Sequence, residues 1–215
     1  MLQASSLSTI ALLGLLAGSS LASGLRLYAT IAVLGFLGRS GTLTLPGELS
    51  VLSNTWIIVT AGLLYLVEFF ADKVPYADTG WDALHTFIRV PAGALLAARA
   101  LGPTNPALEV VAALAGGTVA LAAHGTKATA RLAINTSPEP FTNWAASVAE
   151  DIVAFLGVWA AFQHPYVMLA FVILFLALSD YLVPKILRGL RVIFRKLFGK
   201  DRGPAADTPP LSAHS

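Results

Sequence analysis

Glu68 and Asp72 stand four residues apart in "YLVEFFADKVPYADTGWD" (residues 65–82). At that spacing they share one face of a helix. Glu68 lies among Leu66, Val67, Phe69 and Phe70, and an ionised carboxylate in such surroundings needs a charged partner or water. Lys73 follows Asp72 directly and is near enough to offset one of the two. A second acidic pair, Glu150 and Asp151, interrupts the apolar run "NWAASVAEDIVAFLGVW", with nothing beside it to neutralise it. Neighbouring helical residues point about 100° apart, so only one of the two aims straight inward unless the helix breaks. Cations that can meet these acids are Arg26, Lys127 and Arg131, each in or just after an apolar stretch. Buried charges persist when paired, so acid–base contacts between these segments are expected. The competing expectation is a purely structural ion-pair network that holds helices together.

Carboxylates without thiolates suit protons or hard cations. We therefore expect a substrate, ion or proton site built from Glu68, Asp72, Lys73, Glu150 and Asp151. Arg26, Tyr28, Asp78, Lys127, Arg131 and Asp180 form the supporting set. Asp180 is a third intramembrane acid, four residues before Pro184. Asp78 and Thr79 read as helix N-caps and Asp82 as an interface residue. His124, beside Gly125, is able to titrate, but a lone histidine is more often structural.

Hydrophobic residues make up 56% of the 215, charged residues only 12%, and the mean hydropathy is +0.72. A soluble domain is closer to a quarter charged, so the chain reads as an integral membrane protein. There is no cysteine, which excludes disulfides and thiolate metal sites. No phosphate-binding loop, zinc-protease or nucleophile-elbow motif occurs, and the four histidines lack ligand spacing; no cofactor is called for. An enzyme is the weaker reading.

Apolar stretches fall at about residues 7–38, 55–71, 84–101, 107–134, 144–163 and 166–196. They predict an all-α, polytopic transmembrane bundle of about six spans. Residues 7–38 are long for one span and short for two, and "GSSLASGLR" lies at their middle. Residues 107–134 share that design around "GGTVALAAHGTK". Both read as broken or re-entrant helices, or as single long helices with small residues for close packing. Residues 15–30 can be laid over 116–131, and 87–101 over 178–193, so two repeats are expected (about 7–101 and 107–196), inverted if each holds three spans and parallel if each broken segment is a full hairpin. Residues 1–196 then form one membrane domain. Residues 39–54 read as a polar loop, 134–143 as a connector, and 197–215 as a disordered tail.

Between Lys185 and Arg202 there are seven basic residues and one acid. This is a positive-inside signal, which puts the C-terminus in the cytoplasm of an inner-membrane protein; contact with anionic lipid fits the same residues, nucleic acid does not. The first 24 residues lack the basic n-region of a signal peptide and are expected to be a mature membrane segment.

The run "EFFADKVPYAD" resembles the signature E-F-x-x-D-K-x-P-x-x-D of a bacterial integral membrane family classed as a domain of unknown function (number four-one-two-six). Glu68, Phe69, Asp72, Lys73, Pro75 and Asp78 fit it, and "GLRLYATIAVLG" (24–35) is similar to that family's opening. The resemblance brings no activity with it. From the residues themselves the expected function is a small transporter or channel for a small polar or ionic solute. The partners are the bilayer and that solute, ion or proton; a homo-oligomer is compatible. The alternatives are a protein acting on or moving lipid headgroups and a non-catalytic assembly factor.

Overall fold

The computed structural model describes residues 9–74, 77–103, 105–136 and 140–198, with 77, 78, 140 and 196–198 described by backbone alone. The described residues are all-α. Helix α1 spans Thr9–Arg39, α2 Thr55–Ala71, α3 Ala77–Ala100, α4 Pro106–Ile134, α5 Pro140–Gln163 and α6 Pro165–Phe198. A 3₁₀ helix, Gly47–Ser53, lies within the stretch expected to be a polar loop. Caps follow from sequence: Asn54 Oδ1 accepts from the Trp56 amide and Asn105 Oδ1 from the Ala107 amide, each at 2.9 Å. Pro106 opens α4 where its missing N–H costs nothing.

Among the described residues, four helices are long and apolar enough to cross a membrane: α1, α4, α5 and α6. They become five if the 3₁₀ helix and α2, bent by 73°, count as one broken span. The chain is a multi-pass membrane protein. The expectation of about six spans exceeds this number for two reasons. Helix α2 has only 17 residues, and α3 carries Asp82, His85 and Arg89 on its buried face, which lowers its hydropathy.

Helix α1 is the centre of the bundle and touches every other helix. One of its residues, Arg26, has non-helical backbone (φ −145°, ψ 78°). The limb before it packs closely on neighbours through small residues. A Cβ on Gly14 would strike the Pro165 backbone, one on Gly18 the Ala161 and Met168 side chains, and one on Gly24 the Ala120 carbonyl. The limb after it returns toward the side it came from. Leu12 and Leu16 of the first limb share a groove with Leu101, and Gly38 of the second packs on Leu45, just before Gly47, which packs on Gly102. Ser20 hydrogen-bonds the Gly93 carbonyl, while Ile31 lines a cavity with Ala92 and Leu95. In a straight helix residues 20 and 31 would lie about 16 Å apart along the axis. Both ends of α1 therefore meet the α3–α4 turn, and Arg26 is the apex.

Helix α4 runs unbroken past His124 and Gly125. Of the two expectations for these segments, the broken helix is found in α1, at Arg26, and the single long helix in α4. The segment 116–131 packs as a straight helix against α3, where Gly116 meets Ala97, Gly93 and Ser20. The two segments aligned as repeats thus differ in backbone. Helix α6 continues without a break through Pro184. Of the expected tail, residues 199–215 lie outside the described residues, as do 137–139 of the expected connector.

Candidate functional site

The apex of α1 brings Arg26 to the end of α2, the middle of α5 and the last turns of α4. Its guanidinium ion-pairs with Asp72, with Asp151 at 2.9 Å and with Glu150 at 3.3 Å, and it approaches Glu68 at 3.7 Å. It also donates to Ser147 Oγ at 2.9 Å and to the Ser147 carbonyl at 3.0 Å. Five fork N–H donors make Arg the residue able to collect this many acceptors in one plane. The broken backbone at Arg26 is buried in protein, where non-helical structure at membrane depth is tolerated.

Helix α4 supplies two more cations one turn apart. Lys127 Nζ donates to Asp72 Oδ2 at 3.0 Å and lies 3.3 Å from Asp82, 3.5 Å from Glu150 and 3.8 Å from Glu68. Arg131 grips Glu150 with two parallel bonds, Nε at 3.1 Å and Nη2 at 3.0 Å, a bidentate geometry. Its other nitrogen donates to the Asn143 carbonyl and side chain. Asn143 in turn donates to Asn135, which donates to Thr79, tying α5, α4 and α3 together.

Helix α3 adds Asp82 and Arg89, which the sequence reading left out of the site. Arg89 bridges Glu68 and Asp82, the latter at 3.0 Å, and both its Nη1 and His124 Nδ1 lie 3.1 Å apart. An arginine only donates, so His124 Nδ1 accepts. Its Nε2 therefore carries the hydrogen and donates to Thr86 Oγ1 at 2.7 Å, whose own hydroxyl donates to the Asp82 carbonyl. The ring is a neutral tautomer held as a strut between α4 and α3. The signal for these residues was present as spacing: 82, 85 and 89 recur at helical period on the buried face of α3. Asp82 is a buried member of the network, because α3 begins at Ala77 and carries it inward.

Five carboxylates (Glu68, Asp72, Asp82, Glu150, Asp151) thus meet four cations (Arg26, Arg89, Lys127, Arg131) in one interhelical cluster. Glu68 and Asp72 are wholly buried; Glu150 and Asp151 keep side-chain exposures of 14% and 10% and form its open edge. Glu68, Asp72 and Asp82 each turn one oxygen to the cations. Their other oxygens, Glu68 Oε2, Asp72 Oδ1 and Asp82 Oδ2, are buried without a hydrogen-bond partner.

Other residues of the expected site fall elsewhere. Lys73 donates to the Phe69 carbonyl at 3.1 Å and lies over the Phe69 ring, outside the ion pairs. Tyr28 bonds His85 Nε2 at 3.1 Å, beside the cluster. Asp180 sits on the exposed side of α6, away from the cluster, because α6 turns its buried face through Ser179 toward Thr126. The side chain of Asp78 and the whole of Pro75 lie outside the described residues. No group of three or more potential metal ligands is found among the described residues.

Compared with known proteins, residues 13–185 match the family described as Domain of unknown function (DUF4126), and the chain belongs to that family. No curated protein and no solved structure matches it.

Proposed function

We propose that this member of the DUF4126 family is a small inner-membrane transporter or channel for a small polar or ionic solute, with the mixed-charge cluster as its binding or proton-coupling site. The observation that carries this reading is the set of unpartnered, buried oxygens on Glu68, Asp72 and Asp82. A buried carboxylate oxygen that the neighbouring cations leave free is still an acceptor in want of a donor. Each is a place where a proton, an ion or a water molecule in transit can bind. The partly exposed Glu150 and Asp151 give the cluster its route to the outside.

In this reading the charge state of the cluster is coupled to the bend of α1. Protonating Glu68 removes its attraction for Arg89 and Arg26, and Arg26 is the residue on which the two limbs of α1 turn. Helices α2 and α3 complete about six crossings, with their charges turned inward. The basic end of α6 faces the cytoplasm. In this reading each half contributes an acidic pair to the site, Glu68 and Asp72 from one and Glu150 and Asp151 from the other.

A second reading, a pure helix lock, draws on the density of ion pairs and the bidentate Arg131–Glu150 contact. The two separate in proteoliposomes carrying an imposed proton gradient and an internal pH dye. Small cations, anions and zwitterions are added outside in turn. Under the transport reading at least one class drives a signal above protein-free vesicles, and Glu68→Gln abolishes it. If wild-type vesicles behave as empty ones across all classes, the transport reading fails.

A further inference from the structure

Helix α6 is longer than a membrane crossing needs. Its 34 residues extend about 51 Å at 1.5 Å per residue, against a hydrocarbon core of about 30 Å. The apolar stretch from Pro165 to Pro184 accounts for the core, and about four turns remain beyond it. Their described side chains follow a pattern. Leu190 is buried at 8% exposure, so one side of the extension rests on protein. Arg188, Arg191 and Arg195, at spacings of three and four, share a face roughly 130° around the helix from Leu190 and are exposed, as is Lys185.

Two of these cations reach back toward the bilayer. Lys185 Nζ lies 3.4 Å from the Tyr181 hydroxyl, and Arg188 Nε donates to the Pro184 carbonyl at 3.2 Å. Tyr181 is itself exposed, an aromatic ring at the height where the apolar stretch ends. No described carboxylate pairs with any of the four. Asp180, the nearest acid along the helix, is not bonded to them either. Between the cations lie Leu187, Val192, Ile193 and Phe194, all exposed. Exposed arginines alternating with exposed apolar groups suit the boundary between acyl chains and headgroups, not water alone.

We propose that Lys185, Arg188, Arg191 and Arg195 form a binding site for the phosphate-bearing headgroups of anionic phospholipids in the leaflet where α6 leaves the membrane. Guanidinium pairs with phosphate in two parallel bonds, and an unpaired guanidinium at headgroup height has no better acceptor there. The site is separate from the charge cluster and does not depend on transport.

The test is native mass spectrometry of the full chain in detergent with equal amounts of phosphatidylglycerol and phosphatidylcholine of matched acyl chains. Wild-type protein retains phosphatidylglycerol in preference. The triple variant R188Q/R191Q/R195Q loses that preference by roughly fivefold for each arginine neutralised. The variant R188K/R191K/R195K keeps most of it, and Arg39→Gln, at the far end of α1, leaves it unchanged. Equal retention of both lipids by wild-type protein overturns the proposal. So does a preference that survives in the triple glutamine variant. Polyglutamate is offered in a parallel run: if R188Q/R191Q/R195Q loses polyglutamate binding that the wild type shows while keeping the lipid preference, the stripe belongs to an acidic protein partner and the proposal fails.

Discussion

The two ends of the helix bundle are held by different forces. Around the α3–α4 turn, α1, α3 and α4 meet through Leu16, Leu34, Leu96, Ala97, Ala100 and Ala112, with Gly93 and Gly116 at the closest approach. Around the apex of α1, the same three helices meet through Arg26, Arg89, Lys127 and their acids. Close packing of small residues suffices to associate helices in a membrane. Replacing a buried ion pair by apolar groups is often neutral or stabilising, whereas removing one partner leaves a stranded charge. The apolar end shows that these helices can pack without charge. The proposed function gives the nine charged side chains at the other end a use beyond holding the helices.

That contrast can be broken most forcefully at Arg26. Arg26→Met leaves five acids against three cations, with Asp72 and Asp151 stripped of their nearest partner. We expect a loss of about 3–5 kcal/mol, read as a fall in thermal unfolding temperature in detergent. Lys127→Met, facing four carboxylates, behaves similarly. At the apolar end, Gly116→Leu drives a side chain into Ala97, Gly93 and Ser20 and costs about 1–3 kcal/mol by the same measurement, from overpacking rather than charge. Equal sensitivity of the two ends would erase the distinction.

Neutralising an acid has a smaller effect on stability. Glu68→Gln brings the cluster to four acids and four cations, so its net charge falls to zero while Arg89 and Arg26 keep Asp82 and Asp72. The expected change is within about 1 kcal/mol, in contrast to its large effect on flux. The smallest effect is at Asp180. It is exposed on α6 and touches none of the cluster, so Asp180→Asn leaves both unfolding temperature and flux at wild-type values within about 0.5 kcal/mol.

Much of the charged end is legible in the sequence, because charge among apolar residues demands an explanation. Glu68, Asp72, Glu150 and Asp151 stand out on that ground alone, and Arg26, Lys127 and Arg131 are the cations at comparable depth. Arg89 is harder to see. It lies in "FIRVPAGALLAARAL", where Pro91 and the apolar run dominate, and Asp82 follows a cluster that reads as a helix start. Only their spacing with His85 on one face of α3 links them, and that becomes informative once α3 is known to begin at Ala77. The break at Arg26 illustrates a different limit. Gly24 and Gly125 offer similar local freedom, yet α1 bends and α4 does not. What differs is tertiary, and it is not charge, since Lys127 of α4 meets as many acids as Arg26: Gly24 is pressed against Ala120 and Ala123, whereas Gly125 has open space beside it and α4 runs unbroken along α3. The sequence overcounts the spans, because the apolar run in α3 draws attention to Leu84, Phe87, Ile88 and Leu95, all exposed, while the inward charges of the same helix keep it out of the four or five that are apolar enough to cross.

The most direct test of the charged end measures stability and flux on the same preparation of Glu68→Gln. Unfolding temperature is taken in detergent, and gradient-driven flux is taken after reconstitution at matched protein density. If Glu68 serves transport, the unfolding temperature stays close to wild type and flux falls to that of protein-free vesicles. An unfolding temperature that collapses, with residual flux tracking only the folded fraction, would show that Glu68 serves the fold and would contradict that role.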